Sequence, residues 1–398
     1  MAQSTPLINS KSSRIIELDY LRVLAFGLLI FYHIGMLYTE GWGWHYKSSY
    51  SSEFLANIML WSNQWRMSLL FLISGAAVSL MLTKQSPWRF IRKRTPILLL
   101  PLIFGMLVIV VPQVYVEANS TGVIVCPNFW HFWYIYLDQY SVEFADHKTI
   151  GTMHLTWNHL WFLPYLLVYS LIMAGLYPFL SSSRLKPLWD SFQQRMSIPL
   201  IILLPIIGLY LIGFFLYDNH PVTHNFVDDW FNQARSFFCF LIGFALIRMT
   251  GLWKQLFTLR WLLLISATLT FCYCLFSFHG GSLGESWIAE EFNSLIWNSN
   301  TWLWIVCIIS WAQYCFTSSN NLVNYLNKGI FCFYVLHQTL IIVIAYFLVP
   351  LRLGAAVEPI LIILLVPISC VLLYEFIRRI PFVGILFGVS KEVSKIKL

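Results

Sequence analysis

The first long apolar segment of the chain carries three ionisable residues at helical spacing. Asp19 lies three positions before Arg22, and His33 lies eleven positions after it. Eleven steps of about 100° return a helix to nearly the same face, so Arg22 and His33 lie on one line, about 16 Å apart. Ionisable groups at membrane depth are costly and usually functional. The structural alternative is an ion pair between Asp19 and Arg22 at the helix entrance, with a hydrogen-bonded histidine in the core.

Five polar or aromatic residues stand near the outer ends or the middle of later apolar segments. They are Arg66, His159, Trp161, Arg235 and His337. Structural roles are possible here too. Arg66 and Trp161 could anchor the membrane interface, and Arg235 could extend to the surface. His337 could form a hydrogen bond to a neighbouring helix. As functional residues, they would form one polar cluster in the outer half of the membrane.

A basic run, RFIRKR at 89–94, directly precedes the third apolar segment. Its arginines Arg89, Arg92 and Arg94 could bind a polyanion such as a phosphorylated cofactor, because guanidinium groups form bidentate hydrogen bonds with phosphate. The same run is also the signal that retains a loop in the cytoplasm during insertion. Both interpretations put the cluster at the cytoplasmic face.

The elements that carry these residues are predicted to be membrane-spanning helices. Hydrophobic residues make up 58% and charged residues 11% of the 398 positions, and the mean hydropathy is +0.68. About a quarter of a soluble domain is charged, so we expect an all-α polytopic membrane protein. Segments of roughly 20 apolar residues predict about ten spans. They are 21–37, 67–82, 96–116, 159–180, 198–217, 231–249, 257–278, 295–316, 331–349 and 359–377. The aromatic run 129–137 is too short to span and is predicted to be interfacial or re-entrant.

The orientation follows from the Lys and Arg residues of alternate connections. Of the 25 in the chain, 19 fall on the side that holds both termini and 4 on the other. Positive residues stay cytoplasmic, so we expect both termini inside. The predicted organisation is a cytoplasmic segment 1–20, one membrane domain 21–377 and a basic cytoplasmic tail 378–398.

Several function classes lack support in the sequence. The net charge of +7 is explained by insertion, so nucleic-acid binding is not expected. Seven of the eight cysteines fall in or at the ends of spans, and there is neither a C-x-x-C pair nor a Cys/His ligand spacing. No metal site or disulfide framework is therefore predicted. The phosphate-binding pattern G-x-x-x-x-G-K-[ST] is absent, which disfavours ATP-driven transport.

The polar motifs, taken in order, resemble the membrane-bound acyltransferase 3 family. The shared stretches are LDYLR at 18–22, the R-x10-H spacing from Arg22 to His33, FYHI at 31–34 with Trp44-His45 after it, RMSLLFLISG at 66–75, the R-x-x-R pair of Arg89 and Arg92, HLWFL at 159–163, YVLHQ at 334–338 and YEFIRRIP at 374–381. The resemblance covers most of the chain and is greatest to members that succinylate periplasmic glucans.

This resemblance implies a reaction that crosses the bilayer. Such enzymes move an acyl group from a cytoplasmic acyl-CoA to a hydroxyl of an extracytoplasmic glycan. The chain would lie in the cell (inner) membrane, with acyl-CoA as substrate and no bound cofactor. Succinyl is favoured as the acyl group, and acetyl is possible.

The resemblance also implies roles for the residues. His33 would remove the hydroxyl proton, and Arg66 or His337 would stabilise the oxyanion. Arg22, paired with Asp19, would hold donor phosphates together with Arg89, Arg92 and Arg94. His159, Trp161 and Arg235 are acceptor-side candidates. Direct transfer and a transient acyl-histidine both remain open.

The alternative function is a transporter or flippase of a glycan or lipid precursor. It would call for carboxylates facing a cavity within the membrane and for broken helices in paired positions. The Asp and Glu residues lie almost wholly in loops or at span ends, with Glu375 the nearest exception. Pro205 and Pro367 could break helices.

Overall fold

A computed structural model of the chain describes residues 15–122, 124, 126–138, 140–144 and 155–389. The regular structure of these residues is helical, and their β-type pairing is limited to an isolated bridge between Thr39 and Ser52. The all-α class expected from composition is therefore confirmed.

Fifteen α-helices form the described part of the chain. The first seven are α1 (Ile16–Met36), α2 (Glu53–Leu82), α3 (Pro87–Phe104), α4 (Val111–Thr121), α5 (Phe129–Leu137), α6 (Phe162–Leu180) and α7 (Lys186–Arg195). The next eight are α8 (Ile198–Leu216), α9 (Trp230–Leu246), α10 (Thr250–Gln255), α11 (Arg260–Phe278), α12 (Trp287–Cys315), α13 (Asn321–Leu348), α14 (Val357–Ile377) and α15 (Pro381–Leu386). Each of the ten predicted spans coincides with a helix.

Eight helical segments of the described residues are long and apolar enough to cross a membrane. The chain is therefore a polytopic membrane protein. The two remaining predicted spans coincide with α9, which has 17 residues, and with α12, which has 29 residues but a polar outer half rich in Asn and Ser. That these two also cross the bilayer, giving ten spans, stays a prediction.

The third span is interrupted by a π-helical turn, Gly105–Ile109, between α3 and α4. A π-turn leaves backbone carbonyls in need of other donors. Two come from the aromatic helix α5, where Trp133 Nε1 donates to the Leu107 carbonyl over 2.9 Å and the Tyr136 hydroxyl donates to that of Met106 over 3.2 Å. The aromatic run 129–137 thus forms a short helix docked on this turn.

Helices α2 and α9 cross at two glycines. A Cβ atom on Gly75 would lie 1.9 Å from the Phe240 carbonyl oxygen, and one on Gly243 would lie 1.9 Å from that of Leu72. Small residues let helix backbones approach closely in membranes. This crossing fixes the two helices that carry Arg66 and Arg235.

The ends of the membrane domain differ slightly from the predicted segments. Helix α1 begins at Ile16, before residue 20, and residues 1–14 lie outside the described chain. In the tail, α15 folds back, and Phe387 packs on Phe104 with ring centroids 5.3 Å apart. Residues 390–398 lie outside the described chain.

Candidate active site

A cavity of about 780 Å³, which we call the outer cavity, lies between the halves of the helices that are predicted to face outward. Its walls come from α1, α2, α9 and α13, together with the outer loops that precede α2, α6 and α9. Five of the predicted site residues line it, namely His33, Arg66, His159, Trp161 and Arg235. His337 lies directly behind His33. The cavity therefore gathers residues from four helices that are far apart in sequence.

His33 and His337 form a hydrogen-bonded pair. His33 Nδ1 lies 2.8 Å from His337 Nε2, and the rings stack with centroids 5.0 Å apart. His337 Nδ1 lies 2.7 Å from the carbonyl oxygen of Tyr334. A carbonyl only accepts, so His337 carries its proton on Nδ1 and accepts at Nε2. His33 must then donate from Nδ1, which leaves its Nε2 unprotonated and without a hydrogen bond in the described chain.

Arg66 is buried in the wall of the cavity, with 6% of its surface exposed. Its guanidinium lies over the ring of Tyr32 at 3.4 Å. Its Nε and Nη1 groups find no hydrogen-bond partner among the described residues. A buried cation with unused donors suits an anion that enters the cavity.

Arg235 occupies a neighbouring position on α9. Its Nη2 donates to the Gln64 carbonyl over 2.8 Å and to the Thr301 hydroxyl over 3.0 Å. Its Nε is buried and has no partner in the described residues. The side chain is therefore anchored at one end and has a free donor at the other.

His159 and Trp161 occupy the segment before α6. His159 Nε2 donates to the Val335 carbonyl over 3.1 Å, and its Nδ1 accepts from Gln113 over 3.3 Å. Both ring nitrogens are thus engaged. The ring of Trp161 lies against that of His224, with centroids 4.3 Å apart. This corner of the cavity has an aromatic wall of the kind on which a sugar ring can pack.

His224 was missed by the sequence reasoning. It stands in a loop with φ +57°, a conformation that only a local anchor stabilises. The anchor is buried Asp229, which accepts from the Tyr165 hydroxyl at 2.5 Å and from the Thr223 amide at 2.8 Å. Burial lowers the pKa of His224, an effect that the negative charge of Asp229 partly opposes.

A second histidine was named only within the resemblance and was given no role. His45 Nδ1 donates to Glu117 over 2.5 Å, and its Nε2 accepts from the Gln338 amide over 3.1 Å. The neighbouring Trp44 stacks on His33 with centroids 5.3 Å apart. The outer loop before α2 is thus tied to α4 and α13. The sequence signal for His45 was its position shortly after FYHI at 31–34.

A second cavity, of about 580 Å³, opens at the predicted cytoplasmic ends of the helices. Asp19, Arg22, Lys84 and Arg94 line it. Asp19 and Arg22 approach to 3.9 Å, and Arg94 Nε has no partner in the described chain. We call it the inner cavity; three basic side chains and one carboxylate line it.

The three arginines of the basic run separate on α3. Arg94 faces the inner cavity, whereas Arg89 and Arg92 are exposed on the surface outside it. Both lie within the first two turns of the helix.

Tyr334 lines both cavities. Its hydroxyl donates to the His159 carbonyl over 2.5 Å, and its ring meets Phe26 edge to face at 5.6 Å. The tyrosine therefore stands between the two chambers, beside the histidine pair.

Comparison with known proteins identifies the class of enzyme. A family model described as an acyltransferase domain, acyltransferase 3, matches residues 15–374 and so contains every predicted site residue. Neither the curated proteins nor the solved structures give a significant match. Because the match covers nearly the whole chain, the protein is an O-acyltransferase and belongs to the acyltransferase 3 family.

Proposed function

We propose that the enzyme transfers an acyl group from a cytoplasmic acyl-CoA to a hydroxyl of an extracytoplasmic glycan. The observation that carries the proposal is the histidine pair, in which His33 offers an unprotonated Nε2 at the floor of the outer cavity. Beside it, Tyr334 also lines the inner, basic cavity. A donor from one side and an acceptor from the other can meet there.

In this reaction His33 acts as the general base. The acceptor hydroxyl gives its proton to Nε2 while its oxygen forms a bond to the thioester carbonyl carbon. The carbon–sulfur bond then breaks, and the imidazolium returns the proton to the thiolate of CoA. Such catalysis contributes about 10²–10⁴-fold. A transient acyl-histidine would use the same nitrogen, and both routes remain compatible with this geometry.

Arg66 is the candidate for stabilising the oxyanion. Its side chain lines the same cavity as His33, and two of its donors are buried without a partner among the described residues. A donor already in position needs no reorganisation when charge develops, and removing one such donor costs about 10²–10³-fold. His337 serves differently, by fixing the tautomer of His33.

The inner cavity is the proposed site of the donor phosphates. Arg22 and Arg94 line it, and the exposed Arg89 and Arg92 would attract the polyanion towards it. The thioester would then pass Tyr334 to reach the histidine pair.

The finer identity of the substrates rests on resemblance. The motifs resemble those of glucans biosynthesis protein C, which succinylates periplasmic glucans. This favours succinyl-CoA as donor and a periplasmic glucan as acceptor, in the inner membrane, over an acetyl donor.

The test is transfer of labelled acyl groups by the purified protein. With labelled succinyl-CoA and periplasmic glucans, we expect the wild type to label the glucan and His33→Ala to label none above background. His131→Ala, at an exposed histidine of α5, is the matched control and should behave as wild type. Near-normal labelling by a well-folded His33→Ala variant would overturn the proposal.

A further inference from the structure

The permanently charged side chains of the described residues that line the outer cavity are all positive. Two guanidinium groups, those of Arg66 and Arg235, line it, and no Asp or Glu of the described residues does. Nε of both arginines and Nη1 of Arg66 are buried without a partner in that part of the chain. Asp229, behind the wall, is already engaged by the Tyr165 hydroxyl and by the Asn232 amide at 2.6 Å.

The two arginines stand at one level. Arg66 precedes Gly75 by nine residues on α2, and Arg235 precedes Gly243 by eight on α9. The helices run side by side from the glycine crossing, so both arginines lie about 12–14 Å above it. Arg235 bonds the backbone of Gln64, two residues before Arg66. One ligand can therefore contact both.

An unpaired buried cation is expensive, and more so within a membrane. The oxyanion of the reaction is a single charge that exists only briefly, so it can compensate one arginine and only during turnover. Arg235 is half-buried, and no carboxylate of the described residues lines the cavity beside it. A permanent negative charge on a substrate would balance it.

We infer that Arg235, beside Arg66, binds a permanently anionic group of a substrate, a carboxylate or a phosphate. This rests on the proposed function and names the substrate class of its site. The anion has two possible sources: the far end of an acidic acyl group, or an acidic substituent of the glycan acceptor. Both present the same oxygen acceptors to the guanidinium groups.

Paired substrates separate the two sources. Succinyl-CoA and butyryl-CoA carry four-carbon acyl chains that differ in a terminal carboxylate against a methyl group. A neutral glucan oligosaccharide and its phosphorylated form differ likewise on the acceptor side. The variants are Arg235→Gln, Arg235→Lys to retain the charge, and Arg195→Gln as a control that removes an exposed arginine of α7.

If the anion is on the acyl group, the wild type prefers succinyl over butyryl in kcat/KM, and Arg235→Gln reduces that preference at least tenfold. If the anion is on the acceptor, the wild type prefers the phosphorylated glucan over the neutral one in kcat/KM, and Arg235→Gln reduces that preference instead. Arg235→Lys should recover part of either effect, and Arg195→Gln should keep the wild-type preference. An equal loss for charged and neutral substrates overturns the inference but leaves the acyltransferase function intact.

A second measurement does not depend on activity. Succinate or phosphate should raise the melting temperature of the wild type in detergent, whereas neutral succinamide should not, and Arg235→Gln should abolish the shift. If neither donor transfers its label, the proposed function fails. The shift in melting temperature then still shows whether Arg235 binds an anion. The absence of any anion-specific shift in the wild type contradicts the inference.

Discussion

Replacing His337 by leucine tests how the tautomer of His33 is fixed. The substitution removes the acceptor 2.8 Å from His33 Nδ1, and the proton of the neutral imidazole can then move to Nε2. A protonated Nε2 cannot accept the proton of the acceptor hydroxyl. We expect His337→Leu to lower the rate of transfer with little change in donor binding, which the proposed function assigns to the inner cavity.

The size of the loss follows from the hydrogen bond. A net contribution of about 0.5–1.5 kcal/mol corresponds to roughly a 2- to 13-fold decrease in the reactive tautomer. Losing the ring stack with His337 also frees the His33 ring to rotate, and the full contribution of a general base is about 10²–10⁴-fold. We therefore expect a decrease between about 10-fold and about 10³-fold.

The assay is single-turnover acyl transfer at saturating donor, with membrane abundance measured in parallel. His337→Gln is the matched variant, because its amide oxygen can still accept from His33 Nδ1. It should retain more activity than His337→Leu. Wild-type rates in the leucine variant would refute the tautomer argument, and equal inactivity of both would assign His337 a role that requires an ionisable ring.

Two more predictions concern the helix crossing and the donor cavity. Gly75→Ala would force α9 away by roughly 1.5 Å to restore ordinary contact, a displacement able to cost about 10²-fold in activity; the melting temperature should also fall. Gly175→Ala, with open space around it, should be silent, and wild-type behaviour of both variants would contradict the argument. Arg94→Gln should weaken acyl-CoA binding, measured by calorimetry, more than Arg92→Gln does; the reverse order would refute the cavity assignment.

The helices and the depth of the histidines could be predicted because both follow from local patterns. Apolar length located every predicted span on a helix, and the position of His337 within its span predicted that it belongs to a polar cluster in the outer half of the membrane. The two histidines are 304 positions apart and meet at 2.8 Å. Which nitrogen bonds which was not accessible from sequence, because it depends on the Tyr334 carbonyl behind the second ring.

The sequence did not predict which loop residues reach the cavity or which side of a helix faces it, and the reason is physical. His224 reaches the cavity through a left-handed backbone conformation held by Asp229, and no periodic pattern encodes such a turn. Arg92 and Arg94 are two residues apart, about 200° around a helix, so they face opposite ways. The spacing predicts that the two arginines point in opposite directions, but it does not predict which of them faces the cavity.

The two cavities suggest why Arg22 and His33 lie on one face of α1. Arg22 lines the inner chamber and His33 the outer one, on the same face of α1 and about 16 Å apart along its axis. The distance is comparable with an extended pantetheine arm, which links the phosphates of acyl-CoA to its thioester. On the proposed function, a donor held by its phosphates at Arg22 and Arg94 would extend its thioester past Tyr334 to the histidine pair. The nucleotide would then stay at the cytoplasmic side throughout, and the acceptor hydroxyl would have to enter the outer cavity as far as His33.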